Sequence, residues 1–225
     1  NDLSYDIIEV YDELAIYNPK IQIKYNKNIP SDFLNKILDM IRCGQNCFVF
    51  CCEPGMMKAV MSYGATYEEA LNMDIRGCYE TGVRANEASP TTGYVNAAKA
   101  IEYVFSNGYD NRCNKQIGIK TGEIDSFETF EDLYRAVILQ WEYLIEKSVE
   151  IGNEYDKYLS YVNPSSMYSA TIKTSLKNAF DGYGGGVKFN NSCMLNCGFA
   201  SLVDSVMAVK KFVYDKKEAS LSEIK

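Results

Sequence analysis

The chain has 225 residues, of which 47% are hydrophobic, 13% aromatic and 24% charged, a composition typical of a folded globular protein. This composition excludes a disordered chain, a collagen and a coiled-coil rod. The net charge of −7, with no block of basic residues, argues against a nucleic-acid or anionic membrane partner. No apolar run approaches the ~20 residues that span a bilayer, and the first residues are acidic rather than basic as in a signal peptide. We therefore expect a cytoplasmic protein.

The sequence contains eight cysteines and no histidine. Because no secretion signal accompanies the cysteines, we expect free thiols rather than a disulfide framework. Without histidine, the chain cannot assemble a Ser-His-Asp or Cys-His catalytic group by itself. Some cysteines recur at a spacing of four residues, namely Cys43, Cys47, Cys51 and the pair Cys193 and Cys197. Their predicted elements give them no common face and no CxxC pair occurs, so we predict no metal site.

Hydrophobic periodicity and breaker residues predict short strands that alternate with helices along the chain. The predicted strands are 20–25 and 47–52, and the predicted helices are 5–16, 32–42, 56–63, 66–73, 95–106, 127–161, 167–176, 200–214 and the first turn of one at 221–225. Residues 74–92 are predicted to form a loop. The segment 182–186 (GYGGG) lacks the phosphate-binding glycine patterns and predicts a tight turn. The alternation favours an α/β fold with parallel strands.

Residues 76–80 (RGCYE) form the segment in which chemistry is most plausible. In an extended loop, residues two apart point the same way, which predicts the Cys78 thiol and the Glu80 carboxylate on one face. The spacing alone is weak support, because a lone cysteine is more often a small buried hydrophobe.

Two arginines, Arg76 and Arg84, flank this loop. They could bind a substrate carboxylate, or they could pair with Glu80 or Glu87 and order the loop. Of these two roles, we favour the structural one for both arginines.

Almost the whole chain resembles the central part of a glycyl radical enzyme of the pyruvate formate-lyase-like superfamily. The matching segments follow the order of that family: 18–30 (NPKIQIKYNKNIP), the following helix with Gly44, 64–70 (GATYEEA), 77–80 (GCYE), 118–122 (GIKTG) with the helix start at 126–130, 185–190 (GGVKFN) and 204–213 (DSVMAVKKFV). The chain departs from the family at Thr81, where proline is frequent, and at Cys52 and Glu53, where Asn-Asp is frequent.

The resemblance implies part of an α/β barrel with a finger loop at its centre. It implies that Cys78 becomes a transient thiyl radical that abstracts a hydrogen atom from the substrate. Glu80, two residues on, marks the dehydratase and lyase branches and would act as the base. We therefore expect a radical dehydratase or lyase acting on a small hydroxylated or amino-substituted metabolite. A radical decarboxylase, a C–C or C–S lyase of the same superfamily, and a non-catalytic fragment of a truncated or split enzyme remain the alternatives.

The resemblance also implies cofactors and partners. The sequence contains no arginine-hydrophobe-glycine-aromatic motif, so the glycine that carries the stored radical is expected on a C-terminal segment outside the sequence. The 225 residues would then be the central portion of one barrel domain, inactive alone and without a bound cofactor. An activating enzyme that uses an iron–sulfur cluster and S-adenosylmethionine would generate the radical, and a homodimer is expected.

Overall fold

The computed structural model describes residues 2–77, 80–88 and 91–225. The helices are α1 (Asp2–Leu14), α2 (Ser31–Arg42), α3 (Glu53–Ser62), α4 (Tyr67–Leu71), α5 (Lys99–Phe105), α6 (Phe130–Val162), α7 (Ser166–Ser169), α8 (Lys173–Asn178) and α9 (Phe199–Val209). The strands are β1 (Ile21–Tyr25), β2 (Phe48–Cys52), β3 (Met73–Arg76), β4 (Glu80–Val83), β5 (Glu87–Ala88), β6 (Thr91–Asn96), β7 (Tyr109–Asp110), β8 (Lys115–Gln116), β9 (Phe189–Asn190) and β10 (Cys193–Cys197).

The contacts divide the chain into two compact units. The first comprises Asn1–Ser89 and Ser165–Asn191, and the second comprises Pro90–Pro164 and Ser192–Lys225. Among the described residues, no helix combines the length and the hydrophobicity needed to cross a membrane.

In the first unit, β1 and β2 form a parallel pair in which Ile21 lies opposite Phe48. This pairing confirms both predicted strands. Helices α1 and α2 cover the pair, and Ile8 of α1, Ile23 of β1 and Ile37 of α2 lie in one buried cluster. The connection from β1 to β2 through α2 is the strand-helix-strand unit that parallel pairing requires.

The rest of the first unit carries two further strand pairs. Strands β3 and β4 are antiparallel, and β5 is parallel to β9. Helix α4 begins with a capping box, in which the Thr66 hydroxyl accepts from the Glu69 N–H and the Glu69 carboxylate accepts from the Thr66 N–H. The capping box starts α4 at the residue where the predicted helix 66–73 begins, and the helix ends earlier than predicted, at Leu71.

In the second unit, β6 and β10 form a parallel pair, and helices α5, α6 and α9 pack into one core. The Thr129 hydroxyl caps α6 by accepting from the Asp132 N–H. Helix α6 approaches the strand pair closely at Gly152, where a Cβ would lie 2.3 Å from Met194 Cε. Helix α9 continues as a π-helical segment at Lys210–Asp215.

The structure corrects several predicted elements. Residues 74–92, which we predicted as a loop, contain most of β3, all of β4 and β5, and the first residues of β6. Strands β3, β4 and β5 have only two to four residues, which is too short for a clear hydrophobic pattern. Residues 95 and 96 end β6 instead of beginning a helix, and β10 was not predicted, because these strands are stabilised by pairing with each other across the sequence. The predicted helix 167–176 is two short helices, α7 and α8, and 221–225 forms a turn and no helix.

Candidate active site

Strands β3 and β4 form an antiparallel hairpin, and the two described residues of the GCYE motif, Gly77 and Glu80, lie at one end of it. Its antiparallel register sets Arg76 opposite Glu80 at one end and Met73 opposite Val83 at the other. Glu80 therefore begins β4 and is half-buried there. Cys78 lies outside the described residues, so its predicted position beside Glu80 stays a prediction.

Gly77 follows β3 and lies against the Glu80 carboxylate. Its φ of +53° falls in the left-handed region, and a Cβ at this position would lie only 2.7 Å from Glu80 Oε2. The Gly77 carbonyl accepts a hydrogen bond of 2.7 Å from Gln22 Nε2 of β1. The absence of a side chain at position 77 therefore permits the close approach of the carboxylate.

Arg76 is held by contacts inside the first unit. Its Nε forms an ion pair with Asp74 Oδ1 at 3.1 Å, and its Nη1 donates to the Glu87 carbonyl at 3.2 Å and to Tyr168 Oη at 3.4 Å. The guanidinium also lies over Gly82, where a Cβ would come within 2.2 Å of Nη2. Among the described residues, Arg76 thus pairs with Asp74 and with the carbonyl of Glu87, and not with the Glu80 or Glu87 carboxylate; its role toward a substrate stays a prediction.

Arg84 follows β4 and is exposed. It lines an open groove together with Glu68, Lys173 and Lys177. Among the described residues it forms no ion pair, so the predicted pairing of Arg84 with Glu80 or Glu87 is not observed there.

Glu87 is a buried carboxylate that the sequence did not single out as a site residue. Its side chain is 2% exposed. Its Oε2 accepts from Tyr63 Oη at 2.9 Å and from the Val83 N–H at 2.6 Å, and its Oε1 accepts from Asn191 Nδ2 at 3.0 Å. The sequence gives no signal for this site, because Tyr63 and Asn191 lie 24 and 104 residues away.

The hydrogen bond to Glu87 has an electrostatic consequence for Tyr63. Burial raises the pKa of the Tyr63 hydroxyl, and the adjacent Glu87 carboxylate raises it further. Tyr63 is therefore a neutral donor at physiological pH and orients the carboxylate of Glu87.

The two rivals to the Cys78 site are the cysteines spaced by four residues and the GYGGG segment, and both have a structural explanation. Cys47 and Cys51 are buried free thiols, and burial raises the pKa of each, which disfavours the thiolate that binds metals. No group of three or more Cys, Asp or Glu side chains within the described ranges could hold a metal ion. The GYGGG segment is a tight turn, as predicted: Gly185 has a φ of +100°, and a Cβ at Gly186 would lie 2.2 Å from the Phe180 carbonyl oxygen.

The family model described as pyruvate formate lyase-like matches residues 1–225. The chain belongs to this family of glycyl radical enzymes. The resemblance drawn from the seven sequence segments is thereby confirmed, and the chain has the fold of part of the α/β barrel of these enzymes, as predicted.

Among relatives of this glycyl radical enzyme chain, trans-4-hydroxy-L-proline dehydratase of Clostridioides difficile is 30% identical over 224 residues, which are 100% of this chain and 28% of the relative. Isethionate sulfite-lyase of Oleidesulfovibrio alaskensis is 25% identical over 230 residues, with 100% of this chain and 28% of the relative covered. The crystal structure of the Clostridioides difficile hydroxyproline dehydratase with its substrate bound superposes with a TM-score of 0.83 at 30% identity, covering 100% of this chain and 28% of that one. The chain thus spans somewhat more than a quarter of the length of these relatives.

Proposed function

We propose that the protein containing this chain is a glycyl radical dehydratase or lyase in which Cys78 carries the thiyl radical and Glu80 is the base. The small-molecule substrate is a hydroxylated or amino-substituted metabolite. The observation that carries the proposal is the β3–β4 hairpin, which holds the half-buried Glu80 two residues after Cys78 in a chain of this family. We further propose that the 225 residues are the central portion of one barrel domain.

The radical glycine, on a segment outside the sequence, supplies the unpaired electron. Cys78 then takes a hydrogen atom from a substrate carbon that bears a hydroxyl group, which regenerates the thiol and leaves a carbon-centred radical. Cys78 would be the thiyl radical that this step requires, because its thiol would first give its hydrogen atom to the radical glycine. The carbon-centred radical acidifies the substrate hydroxyl, and the Glu80 carboxylate accepts its proton. The group on the neighbouring carbon leaves and takes up that proton, and the Cys78 thiol returns the hydrogen atom to the product radical. The net reaction is the elimination of water or an amine.

The position of Gly77 supports this role for Glu80. Because the Gly77 Cα closely approaches the Glu80 carboxylate, the carboxylate has a defined position relative to the residue that precedes Cys78 in the sequence. General-base catalysis requires this kind of fixed position.

A lyase that breaks a C–S bond is a second candidate. It is favoured by the similarity to a relative named isethionate sulfite-lyase. Such a reaction uses the same residues, with sulfite as the leaving group instead of water. A radical decarboxylase of the same superfamily and a non-catalytic segment are the remaining alternatives.

The proposed function implies partners and a location. We propose an activating enzyme that uses an iron–sulfur cluster and S-adenosylmethionine, a homodimeric full-length protein and a cytoplasmic, anaerobic setting. No cofactor is proposed to bind to the 225 residues themselves.

The test uses the full-length protein, activated under anaerobic conditions, with its glycyl radical quantified by electron paramagnetic resonance. A panel of small diols, hydroxyamino acids and hydroxysulfonates, including trans-4-hydroxy-L-proline and isethionate, is screened for release of water, ammonia or sulfite. Turnover of at least one compound with loss of a leaving group is expected. A radical-bearing enzyme that eliminates nothing from any compound would count against the proposal.

Two variants then assign the roles. Cys78→Ser and Glu80→Gln should abolish turnover and leave the glycyl radical signal present. Glu68→Gln, which changes an exposed carboxylate on α4, is the matched control and should retain the activity. Undiminished turnover in Glu80→Gln would remove Glu80 from the mechanism.

A further inference from the structure

Both strands of the β3–β4 hairpin are tied to one residue, Glu87. The Val83 N–H, at the end of β4, donates to the Glu87 carboxylate. The Arg76 guanidinium, at the end of β3, donates to the Glu87 carbonyl. Tyr168 Oη approaches the same carbonyl at 3.5 Å.

Glu87 is itself fixed by the elements around it. Strand β5, which contains Glu87, pairs with β9 so that Glu87 lies opposite Phe189. Tyr63, which follows α3, and Asn191, which follows β9, donate to the carboxylate. A buried carboxylate satisfied by three donors is well anchored, because moving it would leave those donors unpaired.

We propose that Glu87 is a positioning residue, whose carboxylate and carbonyl fix the β3–β4 hairpin and thereby set the position of Glu80. This inference rests on the proposed function of Glu80 as the base. Glu87 contacts the hairpin through Val83 and Arg76, and it acts on the reaction only through them.

The chemistry of the contacts distinguishes two substitutions. Glu87→Ala removes the acceptor and leaves the Val83 N–H and the Tyr63 hydroxyl without their partner. Glu87→Gln keeps one oxygen for these two donors, and its amide nitrogen replaces Oε1. Rotation of the Asn191 amide then presents Oδ1 as the acceptor for that nitrogen. Glu87→Gln is therefore the conservative variant that should restore the positioning.

The first readout is the turnover of the activated full-length enzyme per glycyl radical. A displacement of about 1 Å at a catalytic group can cost about 100-fold in rate, so Glu87→Ala should lower kcat by roughly 10- to 100-fold. The substrate KM and the glycyl radical content should remain unchanged. Glu87→Gln should recover most of the lost kcat.

The matched control is Asp110, a carboxylate of the second unit that is 3% exposed. It also accepts several hydrogen bonds, from Tyr103, Lys99 and the N–H groups of Arg112 and Cys113. Asp110→Ala should lower thermal stability and leave kcat per radical unchanged, because the hydrogen bonds that it removes all lie within the second unit.

The second readout needs neither activation nor a substrate. In the unactivated full-length protein, hydrogen exchange of the peptide that covers 80–88 should accelerate in Glu87→Ala and, to a smaller extent, in Tyr63→Phe, which removes a single donor. If Glu87→Ala fails to fold, Tyr63→Phe takes its place in this measurement.

The outcomes separate the inference from the proposed function. If wild-type enzyme turns over and Glu87→Ala or Tyr63→Phe retains full kcat per radical, the positioning role is wrong and the function of Glu80 is unaffected. If wild-type enzyme eliminates no leaving group, the proposed function fails, and the exchange experiment still decides whether Glu87 holds the hairpin. Unchanged exchange in both variants would overturn the inference.

Discussion

The Cα of Gly77 lies so near the Glu80 carboxylate that a Cβ at position 77 would meet Oε2 at 2.7 Å and Cδ at 3.2 Å. The contact joins the residue before Cys78 to the proposed base. The left-handed φ of +53° at Gly77 adds a second reason for glycine, because L residues with a Cβ adopt this region at a cost.

Replacing Gly77 should therefore displace the base. In Gly77→Ala, the added methyl group pushes the Glu80 carboxylate away, and we expect kcat of the activated full-length enzyme to fall by about 10- to 100-fold. Turnover per glycyl radical measures the effect.

The control for Gly77→Ala is Gly44→Ala. Gly44 has a φ of +98°, and a Cβ there would meet no atom within 4 Å. This substitution introduces backbone strain without displacing a carboxylate. An equal loss of kcat in both variants would attribute the effect to strain and not to the contact between Gly77 and Glu80.

Gly82 provides space for the Arg76 guanidinium. Because a Cβ would lie 2.2 Å from Nη2 and 2.7 Å from Cζ, Gly82→Ala should displace Arg76 and lower the local stability of the hairpin by about 1–3 kcal/mol. Native-state hydrogen exchange of the hairpin amides in the full-length protein measures this change. In an Arg76→Ala background the same substitution should cost less, and strict additivity of the two changes would contradict the proposed contact.

Asp110 predicts a pH dependence of stability. The hydrogen bond from Tyr103, together with the Cys113 N–H and Lys99, holds the pKa of this carboxyl well below its usual range. A lowered folded-state pKa stabilises the protein above the unfolded-state pKa of about 3.9, and this stabilisation is lost as the pH falls toward the folded-state pKa. The difference in Tm between unactivated wild type and Asp110→Asn should therefore be constant from about pH 5 to 7 and shrink below about pH 4. If the difference in Tm instead grew as the pH fell, the folded-state pKa of Asp110 would be raised rather than lowered.

The capping box of α4 should contribute to stability. Thr66→Ala removes the acceptor of the Glu69 N–H, a loss that costs about 1 kcal/mol at a typical N-cap. Thr66→Ser keeps a hydroxyl at the same position and should retain most of the stability. Hydrogen exchange of the α4 amides compares the two variants, and equal exchange would mean that the cap does not stabilise the helix.

The sequence predicted the elements whose hydrophobic pattern is local. Helices α1, α2 and α6 have apolar residues at helical spacing, β1 alternates apolar and polar residues, and β2 is a short apolar run, so their patterns were visible without a partner. Strands β6 and β10 were not predicted, because their pairing joins Tyr94 to Leu195, far away in the sequence. Pairing at this separation stabilises both strands and leaves no local signal.

For the candidate site, the motif singled out Glu80, and the chemical role that the resemblance to the family implies for Cys78 and Glu80 stays a prediction. Neither could locate Glu87 as the residue that holds the hairpin, because an isolated glutamate in a predicted loop is normally exposed. Its burial depends on three hydrogen-bond donors: Tyr63 directly after α3, Val83 in β4 and Asn191 directly after β9. These residues are brought together only in the folded chain.

A small tilt of strand β4 about its anchored end displaces Glu80, at the other end, by a distance that grows with the length of the strand. Val83, where the Glu87 carboxylate holds the strand, and Glu80 are three residues apart, a length of about 10 Å at roughly 3.3 Å per residue. A tilt of about 10° about the anchored end would move Glu80 by nearly 2 Å, several times the roughly 0.5 Å tolerance of a catalytic group. The short length of β4 therefore limits how far thermal tilting can move the base. Any insertion into this strand would increase the displacement of Glu80 in proportion to the added length.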